Sequence, residues 1–386
     1  MKIQRSIPII LEGCQELLDL VVEYNRFQRA ISAIAHNGGL YLRPFELHAL
    51  VYRQVETTLG SQQKCSAIRG VCGAYAAAAK RKAKVAGPFA FRRRAALFLE
   101  GKDFTFKKDG KLSILTTTGR QKLDFRIPKT FQDDYKNAVS YDSITVLASG
   151  QASLCLTLEA PEPSGCNPVG IDLGVKNALV AHDGSRTLFV SGSKIKQLNK
   201  RTKKVENRLR KKLESRKADG RRTNSVRRAI TRLGKKRANR TRSFCRETAS
   251  KLLKWAPEHP IFVLEDLKDV HKASEKSKTR KTMRKGTRGK IHGWAYRSMG
   301  MAIESKAQRT GDAVARINPY RTSRDCSDCN GEEGTRFGNR FTCPCGYAAH
   351  ADVNASRNIR NRFIAIPRGG GALSTAPEAV VKTASL

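Results

Sequence analysis

The chain has 386 residues, with 74 Lys and Arg against 34 Asp and Glu, for a net charge of +40. That length excludes one small domain and suits two to four. A polypeptide this basic repels itself unless a polyanion neutralises it, so nucleic acid is the expected partner. No stretch is long and apolar enough to span a bilayer. Met1-Lys2-Ile3-Gln4-Arg5 opens no secretory apolar core. A cytoplasmic, nucleic-acid-associated protein with no membrane partner is therefore expected.

In chain order, Lys2 to Leu11 reads as a strand, with Pro8 marking an edge or bulge because proline cannot donate to a ladder. Leu17, Leu20, Val21, Tyr24, Phe27, Ile31 and Ile34 then recur on one helical face, and Gly38-Gly39 stops that helix. Pro44 opens a second helix running to near Gly60, and a third spans Ser61 to Lys84, closed by Gly87. From Pro88 the apolar period becomes alternating. Phe104 and Phe106, then Leu112 and Ile114, flank Asp109-Gly110, a hairpin signal. Short strands follow near Leu123–Ile127, Ile144–Leu147 and Leu154–Leu158, as in a small barrel or sandwich. Arg92-Arg93-Arg94, Lys107-Lys108 and Arg120 place positive charge on this region, suited to phosphate contact.

Beyond the linker Pro161–Gly165 lies Pro168-Val-Gly-Ile-Asp-Leu-Gly174, which reads as a strand with a lone carboxylate, Asp172, at its end. Burying an unpartnered carboxylate is expensive, and a metal ion or a reacting group is the usual reason to keep one. Two more strands follow, the last at Thr187–Val190. Between Ser193 and Trp255 the chain carries 25 Lys and Arg against four acids, with narrow apolar stripes and a break at Asp219-Gly220. Two antiparallel helices that cannot neutralise themselves are expected, forming a hairpin for a phosphate backbone. His259–Asp266 is an apolar strand ending in acids, with Glu265 at the C-terminal end where ligands gather in α/β sheets. Lys272–Lys290 reads as a loop, Trp294–Ala307 as a helix and Val314–Ile317 as a short strand.

Six of the ten cysteines are scattered, as buried free thiols are. The other four form two pairs, Cys326-Ser-Asp-Cys329 and Cys343-Pro-Cys345, separated by thirteen residues. Two tight turns that each offer two thiolates are the pattern of a tetrahedral structural zinc site. Gly346 can take the left-handed conformation such a turn needs. Asp352 follows directly, at the start of a helical stretch where the helix dipole favours an anion.

Gly-Ile-Asp172-Leu-Gly, Leu-Glu265-Asp-Leu, the cysteine-paired segment after Arg321-Thr322-Ser323, and Ala-Asp352-Val-Asn-Ala-Ser-Arg-Asn-Ile together resemble the TnpB (OrfB) family of transposon-encoded RNA-guided nucleases, relatives of the compact type V CRISPR effectors. The motif-bearing match runs from about Asn167 to Arg362, and the amino half matches in layout only. This chain departs from the pattern at Asn330, where glycine is usual, and in the shortened Cys343-x-Cys345 pair.

The resemblance implies a multi-domain α/β and β protein. Its parts would be a first wedge strand (1–12), a helical recognition domain (13–86), a wedge β-barrel (87–165), a RuvC-like ribonuclease H nuclease (166–323) with the basic hairpin at 193–255, a zinc ribbon (324–348), a last nuclease segment (349–362) and a disordered tail (363–386). It implies that Asp172, Glu265 and Asp352 hold two Mg²⁺ ions, about 4 Å apart in such sites, and that Cys326, Cys329, Cys343 and Cys345 hold one structural zinc. A guide RNA would pair with one strand of a double-stranded DNA target, and the protein would read only a short flanking motif. One copy or two on each RNA is left open. Three rivals stand beside this reading. An actin-type ATPase would need a second glycine-rich phosphate loop, and the sequence has none. A silent DNA-binding regulator is opposed by the intact acids. A DDE-type transposase would share the three carboxylates.

Overall fold

The computed structural model describes the chain except for residues 14, 38–43, 82–84, 92–94, 175, 268–295, 330–332 and 367–386. Gly38-Gly39, Arg92-Arg93-Arg94, the loop Lys272–Lys290, Trp294, Asn330 and the tail beyond Ile366 therefore lie outside the described residues. The rest divides into two compact units, Met1–Ala160 and Pro161–Leu386.

The first unit contains β1 (Lys2–Leu11), α1 (Gln15–Asn37), α2 (Pro44–Val51), α3 (Ser61–Lys80), β2 (Ala95–Leu99), β3 (Phe104–Phe106), β4 (Leu112–Thr116), β5 (Gly119–Leu123), β6 (Phe125–Arg126), α4 (Gln132–Lys136), β7 (Ala138–Leu147) and β8 (Ala152–Glu159). Its main sheet runs β2-β7-β8-β1-β6, with a separate meander β3-β4-β5. The helices α1 to α3 are inserted in the chain between two strands of the main sheet. Pro8 faces Ser153 of β8, whereas β6 meets β1 only at Ile10 and Leu11, so Pro8 lies where β1 has a strand partner on one side alone.

Two helices are shorter than the periodicity predicts. The second stops at Val51 because the following turn is drawn onto α1: the Thr57 hydroxyl donates to Glu23 (2.6 Å) and Arg26 to the Glu56 carbonyl (2.7 Å). The third ends at Lys80, before Gly87 is reached.

The second unit comprises β9 (Asn167–Asp172), β10 (Asn177–His182), β11 (Thr187–Ser191), α5 (Ser193–Ala218), α6 (Asn224–Trp255), β12 (Pro260–Glu265), α7 (Tyr296–Thr310), β13 (Ala313–Ile317), β14 (Thr335–Phe337), β15 (Arg340–Thr342), β16 (Ala348–His350) and α8 (Ala351–Ile364). Its five-stranded sheet has the order β11-β10-β9-β12-β13. The first three strands are antiparallel neighbours, and β12 and β13 lie parallel to β9. Val169, Ile171, Phe262 and Leu264 pack on one face with Cys245, Ala249 and Leu252 of α6 and with Met299 and Ile303 of α7. Ile261 and Val263 pack on the other with Ile359 and Phe363 of α8. Phe363 is buried and the helix runs to Ile364, two residues into the stretch expected to be tail.

Gly170 sets how close α8 comes. A Cβ there would stand 2.1 Å from the Ser356 carbonyl oxygen and 2.6 Å from the Arg360 nitrogen, both helix backbone. Neither can yield without moving α8. Gly170→Ala should therefore cost about 3 kcal/mol or more, the upper end of overpacking losses. A urea midpoint equal to that of the unchanged chain would refute this contact.

Candidate nuclease site and cysteine ribbon

The parallel register sets Leu264 beside Ile171, so the next residues, Glu265 and Asp172, end adjacent strands at the same edge of the sheet. Side chains alternate along a strand, and both acids share the face occupied by Gly170 and Val263. That is the face α8 covers, and Asp352 lies in the first turn of α8. Three carboxylates from widely separated segments thus meet at one end of one sheet.

Burial, then the charges of Glu265 and Asp352, push the Asp172 carboxyl up to about 8, against the pull of Arg336 and a backbone hydrogen bond at Leu173. Burial also raises Glu265, whose Oε1 accepts the Thr322 hydroxyl. Asp352 is 7% exposed and held by both oxygens: Asn177 Nδ2 donates to Oδ2 (2.8 Å) and Arg336 Nη2 to Oδ1 (3.0 Å). The His350 ring accepts the Asp352 backbone N–H at 3.2 Å, capping α8. Asn177, Thr322 and Arg336 were not singled out as site residues from the sequence. Asn177 and Thr322 lay inside or beside quoted motifs, whereas Arg336 carried no signal, being one arginine among many.

Three acids of one sign, one of them with a strongly raised pKa, gather oxygens and negative charge at one end of the sheet. The donor set fits hard divalent ions such as Mg²⁺. With the Asp172 carboxyl raised to about 8 in the folded chain against about 4 in the unfolded one, its contribution to stability should be full below about pH 4, fall as pH rises to about 8 and level off above that. Asp172→Asn should abolish that fall. In buffer free of divalent ions, the variant should melt several degrees above the parent at pH 8.5, and the gap should close near pH 4. Parallel melting curves across that range would contradict the raised carboxyl.

The cysteines gather as expected. Their four sulfurs lie within 4.8 Å of one another, with Cys326 to Cys345 and Cys329 to Cys343 each 3.8 Å apart. Zinc bound to four thiolates at about 2.3 Å requires sulfur separations of about 3.8 Å, so the cluster fits a structural zinc. The shortened pair is accommodated by a tight turn: Gly346 has φ of 91° and donates to the Cys343 carbonyl (3.0 Å), while the Cys343 N–H bonds the Tyr347 carbonyl (2.9 Å). The strands β14, β15 and β16 form a separate sheet carrying this cluster.

The basic hairpin is two helices, α5 and α6, joined at Asp219 to Thr223. Glu206 bonds Arg210 (2.7 Å) on its own helix and Arg237 (3.2 Å) on the other. Only Ile195 and Thr202 of α5 are buried. Among the described residues, no helix is long and apolar enough to cross a membrane.

Two family models match this half of the chain. Residues 149–285 match OrfB_IS605, described as a probable transposase, and residues 296–359 match the Cas12f1-like TNB domain. Between them they enclose all three acids and all four cysteines. The carboxy-terminal part of the chain is thus similar to OrfB_IS605 and, after it, to the Cas12f1-like TNB domain. Among curated proteins, it is 43% identical over 72 residues to the CRISPR-associated endodeoxyribonuclease Cas12f1 of Sulfoacidibacillus thermotolerans, covering 18% of this chain and 17% of that protein. It is 30% identical over 73 residues to the TnpB-like protein ORF457 of Acidianus two-tailed virus, covering 19% and 16%. The aligned segments thus span about a sixth of each curated relative. Among solved structures, a Cas12f1–sgRNA–target DNA complex aligns over 94% of this chain and 99% of its own at 17% identity, with a TM-score of 0.36. A C2c1–sgRNA binary complex aligns over 90% and 68% at 10% identity, with a TM-score of 0.43.

Proposed function

We propose that the protein is an RNA-guided DNA endonuclease whose second unit is a RuvC-type, ribonuclease H-like nuclease. The observation that carries this reading is the meeting of Asp172, Glu265 and Asp352 at one end of a mixed five-stranded sheet. The segment matches to OrfB and to an endodeoxyribonuclease support it.

In this reading the three carboxylates hold divalent ions. Once bound, such ions supply an activated water and stabilise the leaving 3′ oxygen of a phosphodiester. The chain's own residues set the stage for that chemistry. Asn177 keeps one Asp352 oxygen fixed, and Arg336 brings a guanidinium to the place where a phosphate would lie. The hairpin of α5 and α6 binds nucleic-acid backbone without reading bases, as its charge and the scarcity of buried side chains on α5 fit. The ribbon holds one zinc as a structural element. The first unit, with its helices inserted into a sheet, binds guide RNA and the duplex beside the target.

The test is cleavage of a plasmid library by RNA-free protein and by protein carrying the RNA that copurifies with it. Site-specific cutting should require the RNA. Binding should weaken steeply with salt, log K falling against log salt by about 0.7 to 0.9 per phosphate contact. Equal site-specific cutting without RNA would leave an ordinary DNA nuclease. The matched model's description as a probable transposase motivates a second reading, strand transfer at the same acids, which products joined from transposon-end DNA would favour.

A further inference from the structure

Thr322 is 2% exposed, yet its hydroxyl is committed to a carboxylate. It donates to Glu265 Oε1 and lies 3.2 Å from the Pro319 carbonyl. Its backbone is fixed in turn by α8. Asn358 Nδ2 donates to the carbonyls of Thr322 (2.9 Å) and Asp325 (2.6 Å). Asn354 donates to the Asp325 carbonyl (2.8 Å) and accepts the Ser327 N–H (2.9 Å). Arg362 pairs with the Asp325 carboxylate at 2.7 Å. Asn354 is fully buried and Asn358 is 5% exposed. One face of α8 therefore clamps the six residues from Thr322 to Ser327, which include the first cysteine of the ribbon. The same helix carries Asp352 in its first turn.

Buried amides are costly unless every group is paired, and paired ones specify a single arrangement. A simple connection between a strand and a ribbon needs no such clamp. What this clamp fixes is the position of the Thr322 hydroxyl relative to Glu265. We infer that Thr322 is a positioning residue for metal binding: its hydroxyl orients the Glu265 carboxylate, and Asn354 and Asn358 hold that hydroxyl in register with Asp352. The inference rests on the nuclease reading of Glu265. Hydrogen-bonded partners of metal-ligating carboxylates contribute roughly ten- to a hundred-fold to metal affinity or activity.

The experiment measures Mn²⁺ binding by paramagnetic resonance on the full, zinc-loaded chain freed of nucleic acid, with Mn²⁺-dependent DNA cleavage alongside. Thr322→Val and Thr322→Ala both remove the hydroxyl but leave different volumes, and Thr322→Ser keeps it. Valine and alanine should each weaken Mn²⁺ binding ten-fold or more at unchanged zinc content and melting temperature, and serine should restore binding to within about three-fold. Valine and alanine variants that bind like the parent overturn the inference. So does a serine variant as weak as valine. Weakening that appears only together with zinc loss or a lowered melting temperature also overturns it, since the hydroxyl would then act on the ribbon. Glu265→Gln is the separate control. If it binds Mn²⁺ as tightly as the parent, the metal role of Glu265 fails, and the nuclease reading fails with it.

Discussion

Asp172→Ala, Glu265→Ala and Asp352→Ala should each reduce metal-dependent DNA cleavage by on the order of 10³-fold or more, while RNA and DNA binding stays within about two-fold. The split follows from where the charges lie. Affinity for nucleic acid comes from a chain at +40, and removing one acid makes it slightly more basic. Cleavage, in the proposed reading, would depend on the three carboxylates gathered at one sheet edge. Folding should survive each change. Alanine at 172 removes a carboxyl that burial already disfavours in its charged form. Alanine at 352 leaves Arg336 without that partner, but its side chain is 44% exposed and water can replace the bond. Alanine at 265 leaves the Thr322 hydroxyl with the Pro319 carbonyl. Single-turnover cleavage in Mg²⁺ beside filter binding separates the two quantities. Full cleavage by any one variant removes that residue from the site, and a loss of binding equal to the loss of cleavage removes the catalytic explanation.

The three acids were legible in the sequence because each interrupts or follows an apolar strand or opens a helix, where a carboxylate is conspicuous. The cysteines were legible because zinc chemistry fixes ligand spacing locally. The hairpin of α5 and α6 was legible from charge, and its break at Asp219-Gly220 is where α5 ends. What local pattern could not carry was pairing over distance. Strands β9 and β12 lie side by side although about ninety residues separate them, and nothing in either run dictates that Leu264 meets Ile171 rather than a neighbour. That single register decides that Asp172 and Glu265 are adjacent. The same limit hid the partners. Asn177, Thr322 and Arg336 acquire meaning only from the carboxylates they reach, and each lies far from its acid in sequence. Helix ends also escaped periodicity. The apolar pattern of α2 continues past Val51, but Glu23 and Arg26 on another helix capture the backbone and hydroxyl beyond it.

Protein purified without chelator should contain one zinc per chain, and Cys343→Ser should lose it together with most of the cleavage. The reason lies in what else holds the ribbon. Among the described residues its apolar contacts are few: Phe341 and Ala351 pack with Cys326 and Cys343, and Tyr347 lies against them. Three strands of three residues each cannot bury enough surface to fold on that alone. Zinc bound to thiolates contributes on the order of 10 kcal/mol and couples directly to folding. The consequence for the acids is geometric. Strand β16 pairs with β15 and leads directly into α8, the Ala351 N–H bonds the Asn339 carbonyl (2.7 Å), and Asp352 is the next residue. Arg336, which bonds Asp352, lies on β14. A ribbon without metal therefore releases both the guanidinium and the start of the helix. Protease cleavage between residues 324 and 350 should become rapid in the serine variant, while the first unit, which shares no strand with the ribbon, keeps its protection. Elemental analysis is the decisive measurement. Metal-free protein that resists protease in this segment and cuts DNA at the parental rate would show that the four sulfurs stand together for some other reason.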